Sequence, residues 1–447
     1  MDLSQEVACT FYCFVASKGS FKILRQTVMK TSLLVSFLFI AWAPQVMADK
    51  RFPPGWIPLS MLDDKPTWSE FRETKDRIHL YLPDEDKPVR GVFACFVFHS
   101  GDPRELADLW NFALVTVPWP FEYDLGVNDK RNGRYKFGHE MQDMGLLLRY
   151  LDHAGEKLNR PELSQVPLVG WLGQNGSRMC ADLYERAPER VLAWSDSFPN
   201  RLRQYPELTK KVPFPFAWEI SKADLRSGTR TYKKDPNPPT DLSCRATTYG
   251  HGHGIYSKFN FFMFYLDRCI RARIPKTMPP AGQPVKLKPA LRENGWVGDF
   301  DPIGSWNPIA PVKVGKLKDA KYPVWFPDEY AAWSWRAYHS SCTDLKITGP
   351  KHPYSKIDGK WGGNGACGLG YGGYLSAKEK HVFSASVKGD YEKVLFHDGN
   401  KVLGETTGPA WALPARKLEP GLRVLFAVGV KADGSRSASR PAIVIVK

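Results

Sequence analysis

The sequence has no block of lysines and arginines, no apolar run of 18 residues and no internal repeat. The first absence leaves nothing that argues for a nucleic-acid partner. The formal charge is +15, yet it is spread thinly, and residues 341–447 carry sixteen Lys and Arg against nine Asp and Glu in ones and twos. The second excludes a membrane-spanning helix once a leader is removed. Cysteine is scarce, eight in 447 residues, with no C-x-x-C and no Cys/His spacing that suits zinc. No metal and no cofactor are therefore expected. One Gly-rich piece, 361–374, contains a G-x-G-x-G-G string, but it leads into a β-like run, whereas a phosphate loop must open a helix. What remains is 43% apolar and 13% aromatic, enough for a folded chain of roughly two to three domains.

The start of the chain carries a short signal. Met29-Lys30-Thr31 is a small positive region, Ser32 to Trp42 an apolar run, and Val46 and Ala48 suit the minus-three and minus-one positions of a cleavage site. Residues 1–48 are read as a leader with a signal peptide at 29–48, translation starting at Met29 and cleavage falling before Asp49. The mature protein is then secreted or periplasmic, with no integral membrane segment. Export permits disulfides, and Cys342 with Cys367 is the pair expected. Cys95, inside an apolar run, reads as a plain buried thiol.

From 77 to 275 strand-like and helix-like stretches alternate. Val89 to Phe98 is apolar almost throughout, as a strand buried on both faces should be. His139 to Leu158 has apolar residues at a helical period, at Met141, Met144, Leu147, Leu148 and Leu151. Further strands are expected near 77–82, 113–117, 166–172, 190–194, 211–219 and 242–249. Helices are expected near 103–112, 178–187 and 257–274. This alternation specifies an α/β class with a mostly parallel sheet and helices on both faces. From Pro275 to about Tyr338 the chain is rich in Pro and Trp without sustained periodicity, and is read as a connecting segment, 276–342, that packs against a neighbour. Beyond it, short β-like runs with turns at Asp398-Gly399-Asn400 and Asp433-Gly434 suit a small sandwich over 343–447. Its expected core is Phe383, Val394, Leu395, Val424, Phe426 and Val428.

A segment around 170 points to chemistry. Pro167-Leu168-Val169-Gly170-Trp171 leads to Leu172-Gly173-Gln174-Asn175-Gly176-Ser177, and Pro188-Glu189-Arg190-Val191 follows a helix later. In this pattern the chain resembles the α/β-hydrolase superfamily, in particular its secreted bacterial esterase-like branch, followed by an immunoglobulin-like β domain. That branch has G-x-S-x-G-G between such flanks, so the resemblance puts Gln174 in the position of the serine nucleophile and Leu172 in that of the first motif glycine. It implies domain 49–275 with a histidine ahead of a long helix ending in Arg-(Leu/Ile)-Pro. Counting back from Arg273-Ile274-Pro275 gives His253. The acid is Asp224 or, nearer the strand, Glu219. An oxyanion loop is implied at His99-Ser100-Gly101-Asp102, with Ser100, Gly101 and Asn175 as the oxyanion region.

An amide has no usable nucleophilic lone pair at neutral pH, so Gln174 cannot form an acyl-enzyme. Three readings follow. The first is a catalytically degenerate hydrolase-fold protein that binds a small ester or carbohydrate ligand or acts as a scaffold. The second is a working serine esterase on carbohydrate or small acyl esters through Ser177 and His253. The third makes the C-terminal β domain a binder of polysaccharide or cell wall, with Trp361, Tyr371, Tyr374 and Trp411 as stacking candidates.

Overall fold

A computed structural model describes residues 56–58, 79–84, 86–95, 104–116, 144–172, 176–196, 205–220, 241–249, 256–301, 304–340, 344–350 and 374–447. The expected leader, the cysteine pair Cys342 and Cys367, and positions 361–373 of the Gly-rich piece lie outside the described residues. Apart from Trp56, the described residues belong to one compact unit, Ile57–Lys447.

The first half builds an eight-stranded sheet. Along the chain come β1 (Trp56–Pro58), β2 (His79–Tyr81), β3 (Val92–Cys95), α1 (Arg104–Trp110), β4 (Ala113–Thr116), α2 (Met144–Lys157), β5 (Leu168–Leu172), α3 (Gly176–Arg186), β6 (Val191–Asp196), α4 (Pro206–Thr209), β7 (Phe214–Ile220), β8 (Ser243–Tyr249) and α5 (Tyr256–Arg273). The strand order is β1-β2-β4-β3-β5-β6-β7-β8. β2 runs antiparallel to β4, and every pairing from β4 through β8 is parallel. This is the mostly parallel, α/β-hydrolase-like layout expected from the sequence.

Side chains alternate across each strand, and both faces are covered. On one face Val92, Ala94, Leu168 and Trp194 join Met144, Leu147 and Leu151 of α2 and Met179, Cys180 and Leu183 of α3 in a single core. On the other, Phe93 meets Trp110 of α1 with ring centroids 5.5 Å apart, and Trp171 meets Phe262 of α5 at 6.3 Å. Each such fully buried side chain contributes about 1.5–3 kcal/mol. Two-sided burial therefore explains the continuous apolar run at 92–95. Cys95, Cys180, Cys244 and Cys269 are buried.

The connecting segment is more ordered than its composition suggests. β9 (Trp296–Asp299), β10 (Ile309–Pro311) and β11 (Pro323–Phe326) form a three-stranded antiparallel sheet, and α6 (Glu329–His339) follows. Asp328 caps that helix, its Oδ1 accepting the Ala331 N–H at 2.9 Å. The segment docks on the first domain: Trp335 Nε1 donates to the Arg245 carbonyl at 2.6 Å, and Arg268 of α5 pairs with Asp328 at 2.6 Å.

The C-terminal region is all β. β12 (Leu345–Gly349), β14 (His381–Val387) and β17 (Ala412–Arg416) form one sheet. The other comprises β13 (Tyr374–Leu375), β15 (Lys393–Asp398), β16 (Lys401–Thr406), β18 (Gly421–Val430), β19 (Arg436–Ala438) and β20 (Ala442–Val446). Their shared core holds Phe383, Val394, Phe396, Leu413, Leu425 and Ala427. Of the expected core, Phe383 and Val394 lie there, while Leu395 is only half-buried. Val424, Phe426 and Val428 are buried but fall outside that core, on the alternate face of β18. On that face Phe426 stacks on His397, with centroids 4.9 Å apart, and His397 stacks on Trp333 of α6 at 5.3 Å. The longer apolar run of β18 thus reflects a strand covered on both sides.

Candidate functional site

In a parallel sheet all carboxyl ends share one edge. Here β3 reaches it at Cys95, β5 at Leu172, β6 at Asp196, β7 at Ile220 and β8 at Tyr249. Chain order reverses between β3 and β5: from β3 the chain moves outward to β4, then returns past β3 to β5. The crevice outside such a reversal is where open α/β sheets bind ligands. Ser100 and Gly101 follow β3, Gln174 and Asn175 lie between β5 and α3, Asp224 follows β7, and His253 follows β8. All six lie outside the described residues. Ser177 is the second residue of α3. Glu219 is the penultimate residue of β7, in register with Thr248.

The scaffold around the β5–α3 connection is fixed by buried polar contacts. Gly170 pairs in register with Trp194, and a Cβ on Gly170 would sit 2.3 Å from the Trp194 indole, so only glycine fits. Ser195 Oγ donates to the Gly170 carbonyl at 3.2 Å. Arg190 lies under the entry to β5: Nε donates to the Val166 carbonyl at 3.0 Å and Nη2 to that of Leu163 at 2.9 Å. Burial lowers the pKa of this guanidinium to about 10. Arg273, at the end of α5, donates through Nη1 to the carbonyls of Val191 and Leu192, tying that helix to the start of β6. Arg190 and Arg273 are the arginines of the two flanking signatures read from the sequence. In this fold both bind backbone carbonyls.

Three residues, 173–175, connect β5 to α3. The first N–H groups of a helix such as α3 have no intrahelical partner. Such donors suit the developing negative charge of an acyl-transfer intermediate. Asp196 is a carboxylate that sequence reasoning passed over: it ends β6 and pairs in register with Leu172, one strand from the connection. The signal available was the strand VLAWSD ending on an acid at the sheet edge. Among the described residues no group of three His, Cys, Asp or Glu is arranged to hold a metal ion. Nor is any described helix long and apolar enough to cross a membrane.

No protein-family model and no curated protein matches the sequence. Among solved structures, the chain is similar to a zinc-bound, cold-adapted esterase from an Arctic intertidal metagenomic library, at 13% identity, over 43% of this chain and 87% of that one, with a TM-score of 0.29. An alpha-beta serine hydrolase homologue from Coxiella burnetii matches at 15% identity over 43% and 90%, with a TM-score of 0.27. Fibronectin(III)-like modules of CbhA from Clostridium thermocellum match 23% of this chain and 94% of theirs at 24% identity, with a TM-score of 0.18. The fold assignment rests on the strand order and pairing described above.

Proposed function

We propose that the protein is a secreted hydrolase-fold protein of ester-hydrolase ancestry in which Gln174 replaces the nucleophilic serine, and that it binds a small ester or carbohydrate ligand with weak or no catalysis. The observation that supports this is the three-residue β5–α3 connection beside the chain reversal at β3 and β5. That is the place where the fold would hold a nucleophile, and the sequence puts an amide there. Without a covalent acyl intermediate, a water-based route through His253 would be slow. Ser177, one residue into α3, suits a first-turn helix position, and that favours the binding reading over a serine esterase.

The test is labelling of the full chain by an active-site-directed fluorophosphonate, with and without Ser177→Ala, beside hydrolysis of short p-nitrophenyl esters. The expected result is no labelling and negligible hydrolysis, with saturable binding of an ester detected by ligand-observed NMR. Labelling that Ser177→Ala abolishes would establish the serine-esterase reading instead.

A further inference from the structure

The crossover from β10 to β11 presents an exposed basic surface. Both strands flank β9, with Pro311 at the end of β10 opposite Trp296 and Pro323 at the start of β11 opposite Asp299. Residues 312–322 therefore return from one end to the other of a sheet about 10 Å long and about 10 Å wide. Successive turns hold them: the Gly315 N–H donates to the Val312 carbonyl at 3.1 Å, that of Lys318 to Gly315 at 3.3 Å and that of Ala320 to Leu317 at 3.1 Å. Gly315, at φ +68°, takes the left-handed position at the end of the first turn. No two of Lys313, Lys316, Lys318 and Lys321 adjoin in sequence, yet the short return path crowds them, and all four are exposed.

Among the described residues none of these four lysines pairs with a carboxylate, whereas Lys87, Lys210 and Lys393 do. Lys321 lies near the Tyr322 ring at 5.4 Å. The turn at 291–294 stands beside the crossover. The Val312 N–H donates to the Gly295 carbonyl at 3.0 Å, and Trp325 Nε1 holds the turn through the Arg292 carbonyl at 3.1 Å. Together 291–294 and 313–321 carry five cations against two acids, Glu293 and Asp319. They also hold two of the four large apolar side chains exposed among the described residues, Leu291 at 43% and Val314 at 53%. Val314 sits at the bend between Lys313 and Lys316.

Exposed apolar side chains set among unpaired lysines suit the boundary of an anionic bilayer. There lipid phosphates meet the ammonium groups, and the apolar side chains enter the edge of the acyl layer. An acidic polymer in water would meet the lysines but leave Leu291 and Val314 wet. We infer that the β10–β11 crossover and the adjoining turn dock the protein reversibly on an anionic lipid surface, with Leu291 and Val314 as the inserting side chains and Lys313, Lys316, Lys318 and Lys321 on the phosphates. The contact is peripheral and does not depend on what Gln174 does.

The test is co-sedimentation with vesicles of phosphatidylcholine alone or with about 30% phosphatidylglycerol. The chain is used from Asp49, which keeps the compact unit Ile57–Lys447 and removes the apolar run 32–42, itself able to enter a bilayer. Partition onto the anionic vesicles should exceed that onto neutral ones at least about tenfold at about 0.1 M salt, and fall at about 0.5 M. Replacing Lys313, Lys316 and Lys318 together by Gln should weaken it about thirtyfold or more, each lysine near the surface carrying about fivefold. The same replacement at Lys346, Lys388 and Lys417, exposed on the sandwich, removes equal charge and should cost less than about threefold. Leu291→Ser with Val314→Ser leaves the charge intact and should weaken binding about threefold or more. All these side chains are exposed, and circular dichroism checks that each variant is folded. No preference for anionic vesicles, an equal loss from the sandwich variant, or unchanged binding by the Leu291 and Val314 variant would overturn the inference. Retention on immobilised polygalacturonate with none on vesicles would overturn it as well, in favour of an acidic polysaccharide.

Discussion

Tyr330→Phe is the substitution that tests how the sandwich is held to the rest of the chain. Tyr330 is buried on α6, its hydroxyl donating to Asp398 Oδ1 at 2.6 Å and accepting the Val424 N–H at 2.8 Å. Arg268 lies over its ring at 4.7 Å, and Arg423 approaches the other oxygen of Asp398 at 3.5 Å. Removing one oxygen therefore leaves a buried carboxylate and a buried N–H each short of a partner. Adding the two penalties, about 1–3 kcal/mol each, gives a loss of about 2–6 kcal/mol. The sign of the pH dependence follows from Asp398. Burial, its largest influence, raises the carboxyl pKa above the ordinary value, against the Tyr330 hydrogen bond and the Arg423 charge, which lower it. A carboxyl with a raised folded pKa stabilises the protein most below its unfolded value, and that contribution is lost as pH rises through the folded value. Taking away the Tyr330 bond raises the folded pKa further. The variant's penalty should then grow from acid towards neutral pH and shrink in an Asp398→Asn background. Urea denaturation of both single variants and the double variant, at about pH 4.5 and about pH 7, measures this. A loss below about 0.5 kcal/mol at neutral pH would refute the reasoning, as would a penalty that does not change with pH.

Four further outcomes are expected. Gly399→Ala should cost about 3 kcal/mol or more in thermal or urea unfolding, because Gly399 has φ +56° in the two-residue turn between β15 and β16 and a Cβ there would lie 2.2 Å from the Tyr330 ring. Burial depresses the His397 pKa to about 4, so the folded protein should lose up to about 3 kcal/mol as pH falls from about 6.5 to about 4, and His397→Phe should remove that loss in a pH series of denaturation curves. A 343–447 fragment should aggregate or melt without cooperativity because Val424, Phe426 and Val428 lose their cover, whereas 276–447 should melt sharply by calorimetry. Gln174→Ser should give weak p-nitrophenyl acetate hydrolysis, Leu172→Gly with Gln174→Ser should give more, and His253→Ala should abolish both gains; an inert folded double variant would place the loss of activity beyond residue 174.

Where burial was two-sided and the pattern long, the sequence was legible. The runs at 92–95 and 168–172 and the helices at 144–157 and 256–273 could be read because periodicity and apolar continuity act over ten or more residues. The α6 helix was not read, although Asp328 before Glu329 is a cap signal, because tryptophans at 333 and 335 break a single apolar stripe: Trp335 packs on the first domain and Trp333 on the sandwich. The same cause misplaced the sandwich core. Val424, Phe426 and Val428 look like core residues of one domain, yet their face of β18 is buried by neighbours that composition alone cannot assign. Asp196 was passed over because an acid at a strand end becomes notable only once the strand's place beside β5 is known.

The buried contacts around the β5–α3 connection show what the flanking residues do for the fold. The flanking signatures that carry the resemblance do mechanical work in this fold. Arg190 ties the entry of β5 through the carbonyls of Val166 and Leu163, and Arg273 ties the end of α5 to the start of β6. Gly170 admits the Trp194 indole across β5. Replacing any of these leaves buried carbonyls without donors or drives a side chain into a ring, at a cost of several kcal/mol set against a total stability of about 5–15 kcal/mol. Folding alone therefore accounts for these flanking residues, whether or not any chemistry is used. Likeness in the flanks is consequently likeness of fold, and fold alone does not assign an activity.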